Sequence, residues 1–271
     1  MQRLIQTALD VQKKNNNIPY SIFSFVNTQE VLNVPIIKPL LICVLDGVKE
    51  ISGKNNITCT SGNFIFLSNS FHVNMRNIPA QEQYFAVAIE FDYKDFDCFE
   101  YKPKQKANFC LGKIDPLLYN TIYSFLQRAE FAPPDLWSIR KQEILLTLYQ
   151  CGHEQVSTIV EPPTISHKVF NLINAHISED LSSEEICSML SMSESTFRRR
   201  MKEEGTSFMT IKNAARLSYG LYLVQTTLVS VNVISQKCGF KSQSQFTTNF
   251  KSLFGSTPTE LRKARKADIK E

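Results

Sequence analysis

The chain has 271 residues, 43% hydrophobic and 21% charged, with a formal net charge of +4. Those values exclude a disordered or fibrous protein and fit two globular domains. No apolar run approaches the ~20 residues that span a bilayer, and the opening MQRLIQTALDVQKKNNN has no signal-peptide pattern, so a cytoplasmic protein without membrane association is expected.

The first 110 residues read mainly as strands. Tyr20–Val26, Pro39–Leu45, Val48–Ser52, Asn63–Ser68, Phe71–Ile78 and Tyr84–Phe91 are short segments rich in β-branched and aromatic residues. Asp46-Gly47 between two apolar strands is a hairpin signal. In YFAVAIEF, Phe85, Val87 and Ile89 alternate onto one face. Strands at this spacing suggest a small antiparallel barrel or sandwich. From Asp115 the period becomes helical. One helix carries Leu118, Ile122, Phe125 and Leu126; after Pro133-Pro134, a second, capped by Asp135, carries Leu136, Ile139, Glu143, Leu146 and Tyr149. Two such helices could form a dimer face or close the barrel. Cys151–Thr164 lacks periodicity and reads as a linker.

The charge divides unevenly. Residues 1–163 hold 15 Lys+Arg and 16 Asp+Glu, net −1, whereas residues 164–271 hold 15 and 10, net +5. The basic excess points to an anionic partner in the C-terminal part, although a solvated basic surface would look the same.

That part contains two similar units. In the first, Ser182 and Glu185 form a capping box, and Ile186, Met189 and Leu190 supply a buried face. Met192 plugs a turn, Ser193 caps a second helix, and Phe197 and Met201 hold that helix to the core. Arg198, Arg199, Arg200 and Lys202 remain on its other faces. In the second unit, Val231, Val233 and Ile234 form a short helix ending at Gly239. Ser242 and Gln245 make another capping box, and Phe246, Phe250 and Phe254 recur every four residues. Gln243, Ser244, Gln245 and Thr248 lie on or near the outer face, with Lys251 towards the end. Thr257-Pro258-Thr259-Glu260 caps a last helix. One long helix, Ser207–Gln225, joins the units. A short helix, a tight turn and an exposed polar helix suit the DNA major groove, where Arg reads guanine and Gln reads adenine. Two such helices fixed about 34 Å apart would enter successive grooves on one face of the duplex. Either unit alone could be an ordinary helical hairpin; their tandem arrangement favours DNA binding.

Over residues 166–266 the sequence resembles the AraC/XylS family of bacterial transcription regulators. The resemblance rests on the run Ile234–Pro258, with Gly239-Phe240, Ser242, Phe250-Lys251, Phe254-Gly255 and Thr257-Pro258, and on Ser193, Phe197, Arg199, Met201, Lys202 and Gly205. It implies base-reading or DNA-contacting roles for Ser195, Thr196, Arg198, Arg199 and Lys202 in the first recognition helix. In the second it implies them for Gln243, Ser244, Gln245, Thr248 and Lys251. Thr248 stands where the family commonly has arginine, which implies a weaker grip by the second unit. Cys238 also departs from the family pattern. Gly62-Asn-Phe-Ile-Phe-Leu67 and Ile139-Arg-Lys-Gln-Glu-Ile-Leu-Leu146 are similar to segments of members that control virulence or stress genes.

The resemblance implies a cupin-like antiparallel β barrel with two helices over residues 1–153, a linker over 154–165, and an all-α tandem helix-turn-helix domain over 166–271. It also implies an activator that recruits RNA polymerase to promoter DNA. A small effector or a regulatory protein would act on the barrel, and a homodimer would form through the helices of residues 115–150. A carboxylate-bearing effector would suit Lys38, Lys49 or Lys54, although lone lysines are normally solvated. An enzyme is not expected. A cupin enzyme needs a histidine and glutamate cluster, only His72 lies in the strand region, and Asp92 and Asp95 read as a solvated acidic loop. The seven cysteines form no CxxC pair and the four histidines no metal spacing, so no metal or cofactor is expected.

Overall fold

The structure, a computed structural model, describes residues 1–15, 17–52, 56–100, 107–160 and 162–264, and the side chains of residues 70–72 are not described. Lys54 and the side chain of His72 therefore lie outside the described residues.

Helix α1 (Gln2–Lys14) opens the chain, where no helix was expected. Its signal is nevertheless in the sequence: Leu4, Ile5, Ala8 and Val11 recur at helical spacing and all four are buried. Nine strands follow: β1 (Ser21–Phe25), β2 (Gln29–Ile36), β3 (Leu40–Asp46), β4 (Val48–Ser52), β5 (Ile57–Thr60), β6 (Asn63–Leu67), β7 (Ser70–Ile78), β8 (Tyr84–Glu90) and β9 (Phe109–Lys113). Three of them, β2, β5 and β9, were not foreseen. They form two antiparallel sheets, ordered β1-β8-β3-β6-β9 and β2-β7-β4-β5. The hairpin expected at Asp46-Gly47 is not formed: β3 pairs with β6 and β8, β4 with β5 and β7. Gly47, at φ +80°, instead turns the chain from the first sheet into the second, and a Cβ there would lie 2.5 Å from the Ile78 carbonyl oxygen.

The first sheet is buried on both faces. Phe85, Val87 and Ile89 of β8 join Phe64 and Phe66 in a core shared with the flanking helices. Tyr84, Ala86 and Ala88 point the other way, into a second core between the sheets with Phe25, Ile42, Ile51 and Met75. This two-sheet, helix-backed unit is the cupin-like N-terminal architecture that the resemblance implies.

Helix α2 (Pro116–Arg128) is capped by Asp115, whose side chain accepts from the Leu118 amide. Helix α3 (Trp137–Gln150) departs from expectation. Asp135 lies in a short 3-10 turn before it, and Leu136 occupies the cap position without a side-chain hydrogen bond. Its buried residues are Ile144, Leu145 and Leu148, whereas Leu136, Ile139 and Leu146 are exposed. Apolar residues occupy two sides of this helix: the stripe that the periodicity picked out is exposed, and a second stripe packs against the barrel core. Asp95 is also no solvated loop residue. It is fully buried, its carboxylate accepts from the Asp92 amide at 2.8 Å, and it accepts from the Ser138 hydroxyl on α3. Asp92 pairs with Lys38 at 2.7 Å. Within the stretch read as linker, Glu154–Thr158 is a 3-10 turn, with Val156 and Ile159 buried in the helix-side core.

The remainder is helical: α4 (Ile165–Ala175), α5 (Ser183–Met189), α6 (Glu194–Glu203), α7 (Phe208–Thr226), α8 (Val231–Lys237), α9 (Gln243–Phe254) and α10 (Pro258–Lys263). Two cores divide it. One gathers Phe170, Ile186, Phe197, Met201, Ile211 and Ala215; the other gathers Leu217, Leu221, Ile234, Phe246, Phe250, Phe254 and Leu261. Helix α7 contributes to both and so fixes one unit to the other. Met189 and Val233 are exposed rather than buried. Each short helix turns only one narrow stripe inward, filled by Ile186 and Cys187 in α5 and by Ile234 and Ser235 in α8. Among the described residues no helix is long and apolar enough to cross a membrane.

Candidate nucleic-acid interface

The two helix-turn-helix units share one backbone solution. In the first, Ser191 takes a left-handed φ of 52° and the Met192 amide donates to the Cys187 carbonyl at 2.9 Å. In the second, Gly239 has φ 72° and the Phe240 amide donates to the Ser235 carbonyl at 3.0 Å. A left-handed residue followed by an amide that reaches back five residues ends the first helix of each pair and aims the second. Ser193 and Ser242 then cap α6 and α9. The Ser182–Glu185 and Thr257–Glu260 boxes are reciprocal. At Ser242 only the Gln245 amide donation to the serine hydroxyl is present.

Phe197 and Met201 anchor α6. That leaves Ser195, Arg198, Arg199 and Lys202 on its exposed surface, with Thr196 half-buried and accepting a hydrogen bond from the Ser193 hydroxyl. Arg198 pairs with Glu194 at 2.9 Å and Arg199 with Glu203 at 2.7 Å. Both are solvent-exposed i,i+4 pairs, which are worth only about 0.3–0.5 kcal/mol and yield readily to a stronger anionic acceptor. On α9, Phe246, Phe250 and Phe254 are fully buried, while Gln243, Ser244, Gln245, Thr248 and Lys251 are exposed together. Each recognition helix therefore offers a polar face of several side chains. The first is cationic and the second is mainly amide and hydroxyl.

The second unit is also fastened to the barrel through β1 and β2. Val31 of β2 is buried in the core of that unit. Asn33, at φ 51°, donates from its side chain to the Leu253 carbonyl at the end of α9 at 2.9 Å. The Val26 amide donates to the Ala264 carbonyl at 2.8 Å, and the Gln29 side chain donates to that of Leu261 at 3.4 Å. The last carbonyls of a helix have no partner within it. Here barrel donors supply partners at the ends of both α9 and α10.

Beside this seam lies a cleft with about 870 Å³ of free space, part of it open to solvent. Barrel residues Phe23, Val34, Ile42, Met75 and Ala88 line it on one side, and Ser218, Leu221, Tyr222 and Gln225 of α7 on the other. Its polar groups converge. Lys49 is 5% exposed and donates to the Asn77 side chain at 2.8 Å. The Lys49 ammonium lies 5.9 Å from the centre of the Tyr84 ring. The Tyr84 hydroxyl is buried with no hydrogen-bond partner among the described residues. Burial pushes the Lys49 ammonium down to about 8, with the neighbouring Cys59 offsetting part of the shift. Of Lys38 and Lys49, the two described lysines among those singled out in the sequence, Lys49 reaches this cleft. The strand alternation carried its signal, since Lys49 shares a face with buried Ile51 two residues on. Gln29, Asn77 and Gln225 were not foreseen, because a buried amide has no signature in one sequence.

A helix-turn-helix domain family matches residues 186–264. The transcriptional regulator GadX of Escherichia coli O6:H1 is 30% identical over 129 residues, 46% of this chain and 47% of the relative. The regulator YdeO of Escherichia coli K12 is 33% identical over 100 residues, covering 37% and 39%. This chain thus spans less than half the length of these curated relatives, which are transcription regulators rather than enzymes. In overall fold the chain is similar to ToxT of Vibrio cholerae, whose crystal structure holds an unsaturated fatty acid. The TM-score is 0.65 at 16% identity, covering 95% of this chain and 99% of ToxT.

Proposed function

Because the chain belongs to the AraC/XylS family of DNA-binding transcription regulators, we propose that it binds promoter DNA sequence-specifically and activates transcription by recruiting RNA polymerase. Residues 166–271 form the DNA-binding domain in this reading, with α6 and α9 in successive major grooves. Residues 1–153 form the regulatory domain, joined to it by residues 154–165. Exposed Leu117, Ile139 and Leu146 on α2 and α3 support a dimer with a second copy through that face.

The effector we assign is an amphiphile with one carboxylate and an apolar tail, bound in the cleft between the barrel and α7. The observation that carries this reading is a buried lysine at the polar end of a largely apolar cleft, beside the orphaned Tyr84 hydroxyl. A buried ammonium is costly unless it meets an acceptor. The fatty acid held by ToxT supports the same ligand class.

The test is oleate binding measured by calorimetry against pH. A carboxylate binds the charged form of Lys49. Affinity is expected to be flat between about pH 6 and pH 8, where ligand carboxylate and Lys49 are both charged, and to fall about tenfold per pH unit above it, until the complex also loses the proton. The ligand-free fold should respond in the opposite direction. Its Lys49 is depressed from 10.5 to about 8, so the unfolded chain binds more protons between those values and stability rises with pH across that window. Binding that ignores pH, or that survives Lys49→Met unchanged, would remove Lys49 from the site.

A further inference from the structure

We infer that Gln29 is the positioning residue of a buried amide relay that transmits occupancy of the cleft at Lys49 to the seam holding the second helix-turn-helix unit; the transmitted signal, though not the relay itself, rests on the ligand reading above.

The strand register builds the relay. Across the second sheet, Gln29 of β2 stands opposite Asn77 of β7, Asn77 opposite Lys49 of β4, and Lys49 opposite Cys59 of β5. One row of side chains therefore crosses the sheet to β2, the strand that touches α9. Lys49, Asn77 and Gln29 are each at most 5% exposed. Their hydrogen bonds run in one sense. The Lys49 Nζ donates to Asn77 Oδ1 at 2.8 Å, and Asn77 Nδ2 donates to Gln29 Oε1 at 3.3 Å. Gln29 Nε2 then donates to the Leu261 carbonyl of α10 at 3.4 Å. Gln225 of α7 joins at the same point, its Nε2 donating to Gln29 Oε1 at 2.6 Å. Gln29 is thus the one side chain in the row bonded to both α7 and α10.

A head-to-tail run of amides polarises cooperatively, and the cation at its head reinforces every later bond in the same direction. An anionic head group that draws the Lys49 ammonium away from Asn77 removes that reinforcement. Gln225 lines the cleft as well, so an occupant meets the relay at two of its members. The weakest link is the long Gln29–Leu261 bond, next to the Val26 and Asn27 amides that donate to the Ala264 carbonyl. Occupancy of the cleft therefore loosens the end of α10 from the barrel. The second unit is then freed to adjust against DNA, while the first stays on its separate core.

Hydrogen exchange at the Val26 and Asn27 amides of the full-length chain reads the seam directly. Without ligand, Lys49→Met and Gln29→Met are each expected to speed exchange there at least fivefold. The double variant should be no faster than the faster single, because both cut one path. Lys49→Met also removes a desolvated charge, so its melting temperature should hold or rise while the seam loosens; a general structural defect would lower the one as it loosened the other. Adding oleate to the wild-type chain should speed exchange at the same two amides, and Gln29→Met should abolish the response without losing oleate binding. Unchanged exchange in Lys49→Met, or effects that multiply in the double variant, would overturn the relay. So would an oleate response that survives Gln29→Met. If oleate fails to bind the wild-type chain, the ligand reading falls and the double-variant cycle alone decides the relay.

Discussion

Truncating Phe246 to alanine is expected to destabilise the second helix-turn-helix unit by about 3–5 kcal/mol, the usual cost of deleting a buried phenylalanine. The ring is fully buried, packs edge-on against Phe240 at 5.4 Å and tilts against Phe250 at the same distance. It also lies against the backbone of α7 at Gly220, where a Cβ would come within 2.7 Å of it. Gly220 has no side chain to move into the space left on that side. Urea unfolding of the full-length chain should show the C-terminal part melting earlier. A shift below about 0.5 kcal/mol would mean that the aromatic row of α9 does not hold this unit together.

Removing Arg199 is expected to weaken binding to a selected operator by about 1–3 kcal/mol, roughly 5- to 150-fold, and to relax preference at one base pair. In the free protein Arg199 is committed only to an exposed pair with Glu203, and giving up a pair worth a few tenths of a kcal/mol costs far less than a bidentate contact to guanine returns. Arg198→Ala should behave alike at a neighbouring position. Competition binding against single-base operator variants distinguishes the roles. An equal loss on every sequence would make either arginine a phosphate contact, with a salt dependence shallower by about one charge.

The helical part was legible because its rules are local. Caps at Ser182, Ser193 and Thr257, the left-handed Gly239 and the four-residue spacing of Phe246, Phe250 and Phe254 are each fixed within a turn or two of chain. The barrel was legible only where alternation was clean, as in β8. Strand β2 carries Pro35 and the left-handed Asn33 and shifts register against β7, and such irregularity suppresses a strand signal. That irregular strand is the one that reaches the second helix-turn-helix unit. Which stripe of α3 faces the barrel was not legible, because exposed Ile139 and Leu146 look no different in sequence from buried Ile144 and Leu148. The cleft was half legible. Lys49 sits at an inward position of an alternating strand, but its partners come from β2, β7 and α7, and only long-range register brings them together.

The central claim, that two recognition helices grip one face of a duplex, is tested most directly by footprinting the full-length chain on DNA selected from random sequence at near-physiological salt. The account predicts two protected major-groove segments one helical turn, about 10 bp, apart, with the segment opposite α6 resisting added salt and competitor longer than that opposite α9. A single protected segment, or protection without sequence preference that collapses steeply with salt, would contradict it.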